Sequence, residues 1–215
     1  YYIIAIYLDH GAAGLKKDQE MALRYYRKAA DEGNPQAQAY VGSKLSPATM
    51  APEISRKMRQ CAAEQGDREA ARFLGIDLKI NGKYQNALQA FQLGAAAGDN
   101  SSANRLGQAF LGLDSIDSMY YLGLSKDPER ARRYEQISDM LSRYSYLSPK
   151  VPEINDIVPL PPAPLPAWDG TLKWLVNRKA NIPPAKPTPT PTSKRAKAQQ
   201  LNPPTGRPLR TSPQL

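Results

Sequence analysis

The sequence has a single cysteine, Cys61, and a single histidine, His10, in 215 residues. One cysteine cannot form an intrachain disulfide or a cysteine-based zinc site, and one histidine cannot provide a histidine pair for a metal. No uninterrupted apolar stretch approaches the roughly 18 residues that a membrane-spanning helix needs. The composition therefore excludes disulfide-stapled folds and these metal sites, and it predicts no transmembrane helix.

The sequence also lacks a recognisable leader. It begins with Tyr1 rather than methionine, and residues 1–8 (YYIIAIYL) are typical of the middle of a helix rather than of a signal peptide. We therefore expect an N-terminally truncated or processed chain, in which an upstream cap of the fold is missing.

Charge and proline are distributed unevenly along the chain. The formal net charge is +9, but most of it comes from residues 149–215, which also hold 16 of the 20 prolines. Proline is excluded from helix interiors and central strands, so this part is not expected to build a core of its own. We expect three parts: a domain over 1–148, a Pro/Trp-rich segment over 149–182, and a basic tail over 183–215 that is disordered or polyproline-like.

Two independent markers recur with one period in the first 148 residues. One marker is the glycine after a run of small residues, 33 and then 32 residues apart: Gly33, Gly66 and Gly98. The other marker is an apolar residue followed by glycine: Val41-Gly42, Leu74-Gly75 and Leu106-Gly107. A repeat of this length is typical of helix–turn–helix units that stack into a solenoid.

Each period contains two helical patterns, and residues that favour N-caps follow the glycines at Asn34, Asp67 and Asp99. A fourth, looser unit includes Ala131 and Tyr134 after a lengthened turn. The sequence therefore predicts an all-α fold, an α-solenoid of about four helix–turn–helix repeats with an extended Pro-rich C-terminal segment.

The first unit resembles a known family. Residues 18–38 (DQEMALRYYRKAADEGNPQAQ) and the Gly-rich turn before them closely resemble the Sel1-like (Sel-one-like) repeat, a relative of the tetratricopeptide repeat. The resemblance covers about residues 1–144 and weakens along the chain, because the second and third units have lost the Gly-rich turn and the Tyr pair.

A second resemblance lies in the stretches VPLPPAPLPAWDGT (158–171) and NIPPAKP (181–187). They look like the C-terminal extension of a group of bacterial Sel1-like repeat proteins. Proteins of this build are found as exported immunity proteins for type VI secretion effectors, notably phospholipase-D-type lipases. The resemblance implies a protein partner of that kind and a periplasmic location, while the residues themselves leave a cytoplasmic location open.

The residues offer little for catalysis. His10 lies in a turn, and a phospholipase-D-type active site needs two histidines, so the chain can oppose such an enzyme but cannot be one. No phosphate-binding loop of the Gly-Lys-Ser/Thr type and no dinucleotide fingerprint occurs. We therefore expect a protein without enzymatic activity or cofactor.

The candidate partner-binding residues lie on the predicted first helices of the repeats, which line the concave side of such a solenoid. They form two columns between the core positions. The first column consists of Tyr40, Arg72 and Arg105, and the second of Ser43, Ile76 and Gln108. Tyrosine, arginine and an exposed isoleucine suit a protein interface, although plain solvated helix faces account for them equally well. Tyr120 and Tyr121 in the insertion over 112–125, together with Trp168, complete the set.

The C-terminal parts carry separate expectations. The apolar residues of 149–182 should pack on the solenoid, and a short helix at about 171–179 should help to seal its open end. The basic tail has no aromatic residue, which favours at most a peripheral membrane contact and no specific nucleic-acid recognition. The leading hypothesis is an immunity protein that blocks one effector, and the alternative is an envelope or signalling scaffold that binds several partners.

Overall fold

The computed structural model describes residues 1–46, 50–112, 119–180 and 189–207. Four helix pairs follow one another along the chain: α1 (Tyr2–His10) with α2 (Gln19–Asp31), α3 (Pro35–Lys44) with α4 (Pro52–Glu64), α5 (Arg68–Ile80) with α6 (Tyr84–Ala96), and α7 (Asn100–Ala109) with α8 (Pro128–Arg143). Each of these helices packs against the next one. The predicted α-solenoid of about four helix–turn–helix repeats is confirmed.

Polar caps set where the helices begin. In five helices the side chain of the residue before the first turn accepts a hydrogen bond from the backbone N–H three residues later, which satisfies one of the free donors there. These caps are Asp18, Asn34, Asp67, Asp99 and Asp127. The three caps that the sequence predicts are therefore confirmed.

Glycine in the first helices lets the two helices of a repeat approach closely. The positions are equivalent in three successive repeats: Gly42, Gly75 and Gly107. A Cβ placed on Gly75 would lie 2.6 Å from the Phe91 ring of α6, whereas one on Gly107 would lie 3.4 Å from its nearest neighbours in α8. The third repeat is thus packed most tightly at this crossing.

The buried apolar residues form two clusters. The larger one is built by α5–α8 and includes Leu74, Phe91, Leu106 and Tyr134. The smaller one joins α1, α2 and α3. Between them lies α4, whose buried residues are Ser55, Arg59, Ala62 and Ala63. The second helix of the second repeat therefore buries two polar and two small apolar residues and no large apolar side chain.

Residues 149–176, which we call the C-terminal strap, pack along α6 and α8. Val151 donates its backbone N–H to the carbonyl of Ala96 at 2.9 Å, and Gln92 donates to the carbonyl of Val158 at 3.0 Å. Arg133 donates to the carbonyls of Ile157 and Pro166 at 2.6 and 2.9 Å. Apart from the Val151 N–H, the donors in these contacts are glutamine and arginine side chains of α6 and α8, since the prolines of the strap have no N–H.

The strap contains a short helix α9 (Ile154–Ile157), and helix α10 (Lys173–Ala180) begins at its end. The helix expected at about 171–179 is therefore present. Trp174 lies against Tyr144, with ring centroids 5.2 Å apart, so α10 meets the C-terminal end of α8.

The outer face of the fourth repeat is polar. Four buried residues of α6 are Leu88, Phe91, Gly94 and Ala95, whereas the equivalent residues of α8 are Arg132, Glu135, Ser138 and Asp139. Arg132, Glu135 and Asp139 are exposed. A solenoid ends where its face no longer needs a neighbour, and the polar residues of α8 supply that ending.

The chain divides into two units, residues 1–176 and residues 177–215. The second unit includes helix α11 (Pro189–Ala198), in a stretch whose prolines favour an extended or disordered chain. Both prolines of α11 lie in its first turn, where a helix tolerates proline because the N–H groups there have no helical partner. Within the described ranges, no helix has the length and apolarity needed to cross a membrane.

Candidate functional site

The first helices of the repeats present a face that we call the first-helix face, formed by the outward residues of α1, α3, α5 and α7. A groove of about 360 Å³ runs across three of these helices. Its walls include Tyr2 from α1, Tyr40 and Ser43 from α3, and Phe73 from α5, and Arg59 of α4 also lines it. The groove therefore spans three repeats and combines aromatic walls with one guanidinium.

A column of equivalent residues runs along this face. Counted by the spacing of 33 and then 32 residues, its members are Tyr40, Phe73 and Arg105. Each lies against a residue from the second helix of the preceding repeat. Tyr40 stacks on Tyr26 with ring centroids 3.9 Å apart. The Arg105 guanidinium lies 5.9 Å from the ring centroid of Phe91 in α6.

Phe73 is the member of this column that sequence reasoning missed, because Arg72 was aligned with Tyr40 and Arg105. The spacing itself was the signal, since 33 residues after Tyr40 is Phe73. Arg72 is half-buried beside the groove, with ion pairs to Glu69 at 3.5 Å and to Asp99 at 3.7 Å. Its charge is therefore engaged within the fold, while Phe73 is 41% exposed.

The other predicted column separates in the structure. Ser43 lines the groove with Tyr40 and donates its hydroxyl to the Tyr40 carbonyl at 2.7 Å. Ile76 is half-buried against the core. Gln108 lines a different groove, of about 300 Å³, between α7 and α8. Of this column, only Ser43 lies in the groove of the first-helix face.

The insertion and the strap place the remaining candidates on different sides. Arg105 donates to the carbonyl of Met119 at 3.4 Å and its guanidinium lies 5.9 Å from the Tyr120 ring centroid, so this part of the insertion adjoins the first-helix face. Tyr121 meets Tyr84 edge-on at 5.4 Å. Residues 113–118 of the insertion lie outside the described residues.

Trp168 belongs to the strap side. Its indole N–H donates to the carbonyl of Thr171 at 2.9 Å, and the Arg133 guanidinium of α8 lies 5.5 Å from its ring centroid. The hydrogen bond lies within the strap, and the Arg133 contact places Trp168 on the second helix α8 rather than on the first-helix face.

Arg59 is the second residue that sequence reasoning missed. It occupies the position that holds Tyr26 in the first repeat and Phe91 in the third, and it is 7% exposed. Burial lowers the pKa of its guanidinium from the usual value, and the charge of Asp77 acts in the opposite direction. A cation in a slot that neighbouring repeats fill with aromatic rings is a local departure from the packing rule.

In the described part of the chain, no group of three or more His, Cys, Asp or Glu side chains is placed to hold a metal ion. What the groove offers is aromatic surface, hydrogen-bonding groups and a buried positive charge, which is the chemistry of a binding surface.

Sequence and fold comparisons agree with this architecture. Residues 102–209 match a family described as a domain of unknown function (DUF6396), and residues 1–34 match the Sel1 repeat. No curated protein matches the sequence.

Solved structures share the fold. The immunity protein Pa5087 from Pseudomonas aeruginosa superposes with a TM-score of 0.52 at 20% identity, over 76% of this chain and 75% of that chain. The immunity protein PA5088 from the same organism has a TM-score of 0.51 at 22% identity, over 75% and 74%. A Sel1 repeat protein from Oxalobacter formigenes has a TM-score of 0.52 at 27% identity, over 65% and 56%. Since the DUF6396 match spans half of the sequence and the Sel1 match spans its first repeat, the chain belongs to the DUF6396 family and is built on Sel1 repeats.

Proposed function

We propose that this chain is a non-catalytic immunity protein that binds one toxic bacterial effector and blocks it. The observation that carries the proposal is the groove across three repeats of the first-helix face, in a fold shared over about three quarters of both chains with two proteins named as immunity proteins. The chain contributes one histidine and one cysteine, a poor supply for catalysis.

The proposal extends to the class of effector. The C-terminal extension resembles that of immunity proteins for type VI secretion effectors, and we assign a phospholipase-D-type lipase as the partner and the periplasm as the place where the two meet. The absence of a matching pair of histidines in this sequence suits an inhibitor of such an enzyme rather than an enzyme of that type.

The physical mechanism is obstruction by a pre-organised surface. Stacked helices hold Tyr40, Phe73 and Arg105 in fixed positions before binding, so little conformational entropy is lost when a partner docks. Exposed aromatic and arginine side chains are the residue types that dominate interface energies. A surface of this kind covers the mouth of an active site without any chemistry of its own.

The first experiment is an affinity pull-down from native bacterial extract with the full chain as bait, followed by quantitative mass spectrometry and a lipase assay on the captured enzyme. One dominant lipase in equal amount with the bait, inactive while bound, is the expected result. A spread of substoichiometric envelope proteins would instead favour the scaffold.

Matched variants then locate the interface. Phe73→Ala removes an exposed aromatic group from the groove, and we expect it to weaken the complex at least about tenfold. Leu23→Ala is the control, because Leu23 is 45% exposed, similar to Phe73, but lies on the second helix α2. Equal affinity of both variants would remove the first-helix face from the proposal.

A further inference from the structure

The Arg59 side chain is buried without a polar partner. Among the residues that the structure describes, no hydrogen bond or ion pair involves its guanidinium, although the side chain is more than nine-tenths buried. The Cζ atom of the guanidinium lies 5.6 Å from the centroid of the Phe73 ring. A guanidinium has five N–H donors. No buried side-chain nitrogen or oxygen of the described residues lacks a hydrogen-bond partner, so the unpaired N–H groups of Arg59 are open at the surface of the fold rather than sealed inside it.

The backbone makes room for this side chain. A Cβ on Gly42 would lie 3.0 Å from Cγ of Arg59, so the glycine of α3 leaves the space through which the arginine stem passes. Arg59 then lines the groove of the first-helix face together with Tyr40 and Phe73. The donors of Arg59 are therefore directed at a site that an incoming group can reach.

The three carboxylates nearest to this site in the described chain, Asp67, Glu69 and Asp77, form no ion pair or hydrogen bond with Arg59. Two of them line the groove, but Asp67 caps α5 by accepting the backbone N–H of Ala70 at 2.8 Å, and Glu69 pairs with Arg72. Asp77, the nearby acid that acts on Arg59 through its charge, forms an ion pair with Arg56 at 2.8 Å. Each of these three acids has another partner.

We propose that the Arg59 guanidinium is the receptor for one carboxylate side chain of the protein partner, which enters the groove flanked by apolar residues that contact Tyr40 and Phe73. This inference rests on the proposed function and names the chemical group that the site recognises. Arginine binds a carboxylate through two parallel hydrogen bonds, which satisfies donors that the folded chain leaves unused.

A protein carboxylate fits this groove better than a free phosphate. Arg59 is the only cation among the described residues that line the groove, and Asp67 and Glu69 add negative charge at its edge. These two acids repel a dianion about twice as strongly as a single carboxylate, whose charge matches that of a single guanidinium. The groove also crosses three repeats, which is the extent of a polypeptide segment rather than of a small ion.

The test uses a phage-displayed library of random 12-residue peptides, panned in parallel on the full chain and on its Arg59→Met variant. We expect peptides selected by the natural chain to be enriched in Asp or Glu next to Phe, Trp or Leu, and peptides selected by the variant to lack this enrichment. Equal acidic content in the two pools refutes the carboxylate site.

The best peptide, labelled with a fluorophore, then enters a cycle of substitutions measured by fluorescence polarisation. Arg59→Met, and separately replacement of the peptide's Glu by Gln, should each weaken binding at least about tenfold. Against Arg59→Met the two peptides should bind alike, because the interaction has already been removed. Equal affinity of the natural chain for both peptides, or displacement of the peptide by inorganic phosphate at constant ionic strength, overturns the inference.

Two controls separate the outcomes. The melting temperature of Arg59→Met should equal or exceed that of the natural chain, because a desolvated cation has been removed. If this variant does not fold, Arg59→Lys keeps the charge and should bind the Glu peptide several-fold more weakly.

Arg59-independent peptide binding refutes the carboxylate site and leaves the effector proposal standing. An effector that stays active when mixed with the chain refutes the effector proposal and leaves the peptide result intact.

Discussion

Three structurally equivalent glycines allow one substitution to be compared at three packing densities. An added Cβ would lie 2.6, 2.7 and 2.9 Å from three ring atoms of Phe91 at Gly75, 3.0 Å from Arg59 Cγ at Gly42, and 3.4 Å from its nearest neighbours at Gly107. All three positions are helical, so Gly→Ala stabilises each helix by roughly 1 kcal/mol before packing is considered. The net effect of the substitution therefore measures the helix-to-helix contact.

The largest loss is expected at Gly75. Phe91 is 1% exposed and cannot move away without separating α5 from α6. Overpacking of this kind costs about 1–3 kcal/mol, so after about 1 kcal/mol of helix propensity is credited the free energy of unfolding should fall by up to about 2 kcal/mol. Gly42→Ala should fall between the other two, because the added Cβ would lie 3.0 Å from Arg59 Cγ and 3.3 Å from the backbone oxygen of Ser55. Gly107→Ala should stabilise by up to about 1 kcal/mol.

The assay is urea unfolding followed by far-ultraviolet circular dichroism. With a slope of about 2 kcal/mol/M, Gly75→Ala should lower the midpoint by up to about 1 M while Gly107→Ala raises it. Adding Phe91→Leu to Gly75→Ala should recover part of the loss, because the smaller side chain relieves the collision. If the three glycine variants have the same midpoint, or if their order is reversed, the crossing geometry is wrong.

Three further perturbations test other parts of the fold. Burial raises the pKa of Tyr26 to about 12, so this tyrosine stays protonated in the folded protein at pH values where it ionises in the unfolded chain. The free energy of unfolding should therefore fall as the pH rises from about 10 to 12. Tyr26→Phe should reduce this dependence in urea midpoints measured across that range. Ile154→Ala, in the buried strap, should lower the free energy of unfolding by about 2–4 kcal/mol in urea titrations, and no loss would show that the strap is not packed. Asp99→Ala removes the α7 cap that accepts from both the N–H and the hydroxyl of Ser102 and should cost about 1–2 kcal/mol by the same assay, whereas Asp99→Asn should retain most of the stability.

The first-helix face illustrates why one residue of register matters for function. The repeat spacing of 33 and then 32 residues identifies Phe73, not Arg72, as the equivalent of Tyr40. A single position on a helix rotates a side chain by about 100°, enough to move it from the groove to its flank. Arg72 consequently pairs with Asp99, so a substitution that reversed the charge of Arg72 would change stability as well as binding.

Local patterns in the sequence were sufficient for the repeats. Helix caps such as Asn34 and Asp67, the glycines that close each unit and the recurring small residues act within a few residues of one another, so their effect is visible in one dimension. The helix near residues 171–179 and the loose fourth repeat were predictable for the same reason. These features determined the all-α class and the solenoid.

Long-range contacts decided the rest. The path of the strap depends on Gln92 and Arg133 donating to carbonyls that lie 66 and 24 residues further along the chain, and no local pattern specifies such a pairing. Arg59 shows the same limit, because its significance comes from a groove built by three other helices and from the acids around it having other partners. The positions of the helices and their repeat could be predicted from the sequence, because both are short-range properties of the backbone. The set of side chains that share a surface, and the charge that is left for a partner, could be seen only in the tertiary structure, because they depend on residues that folding brings together.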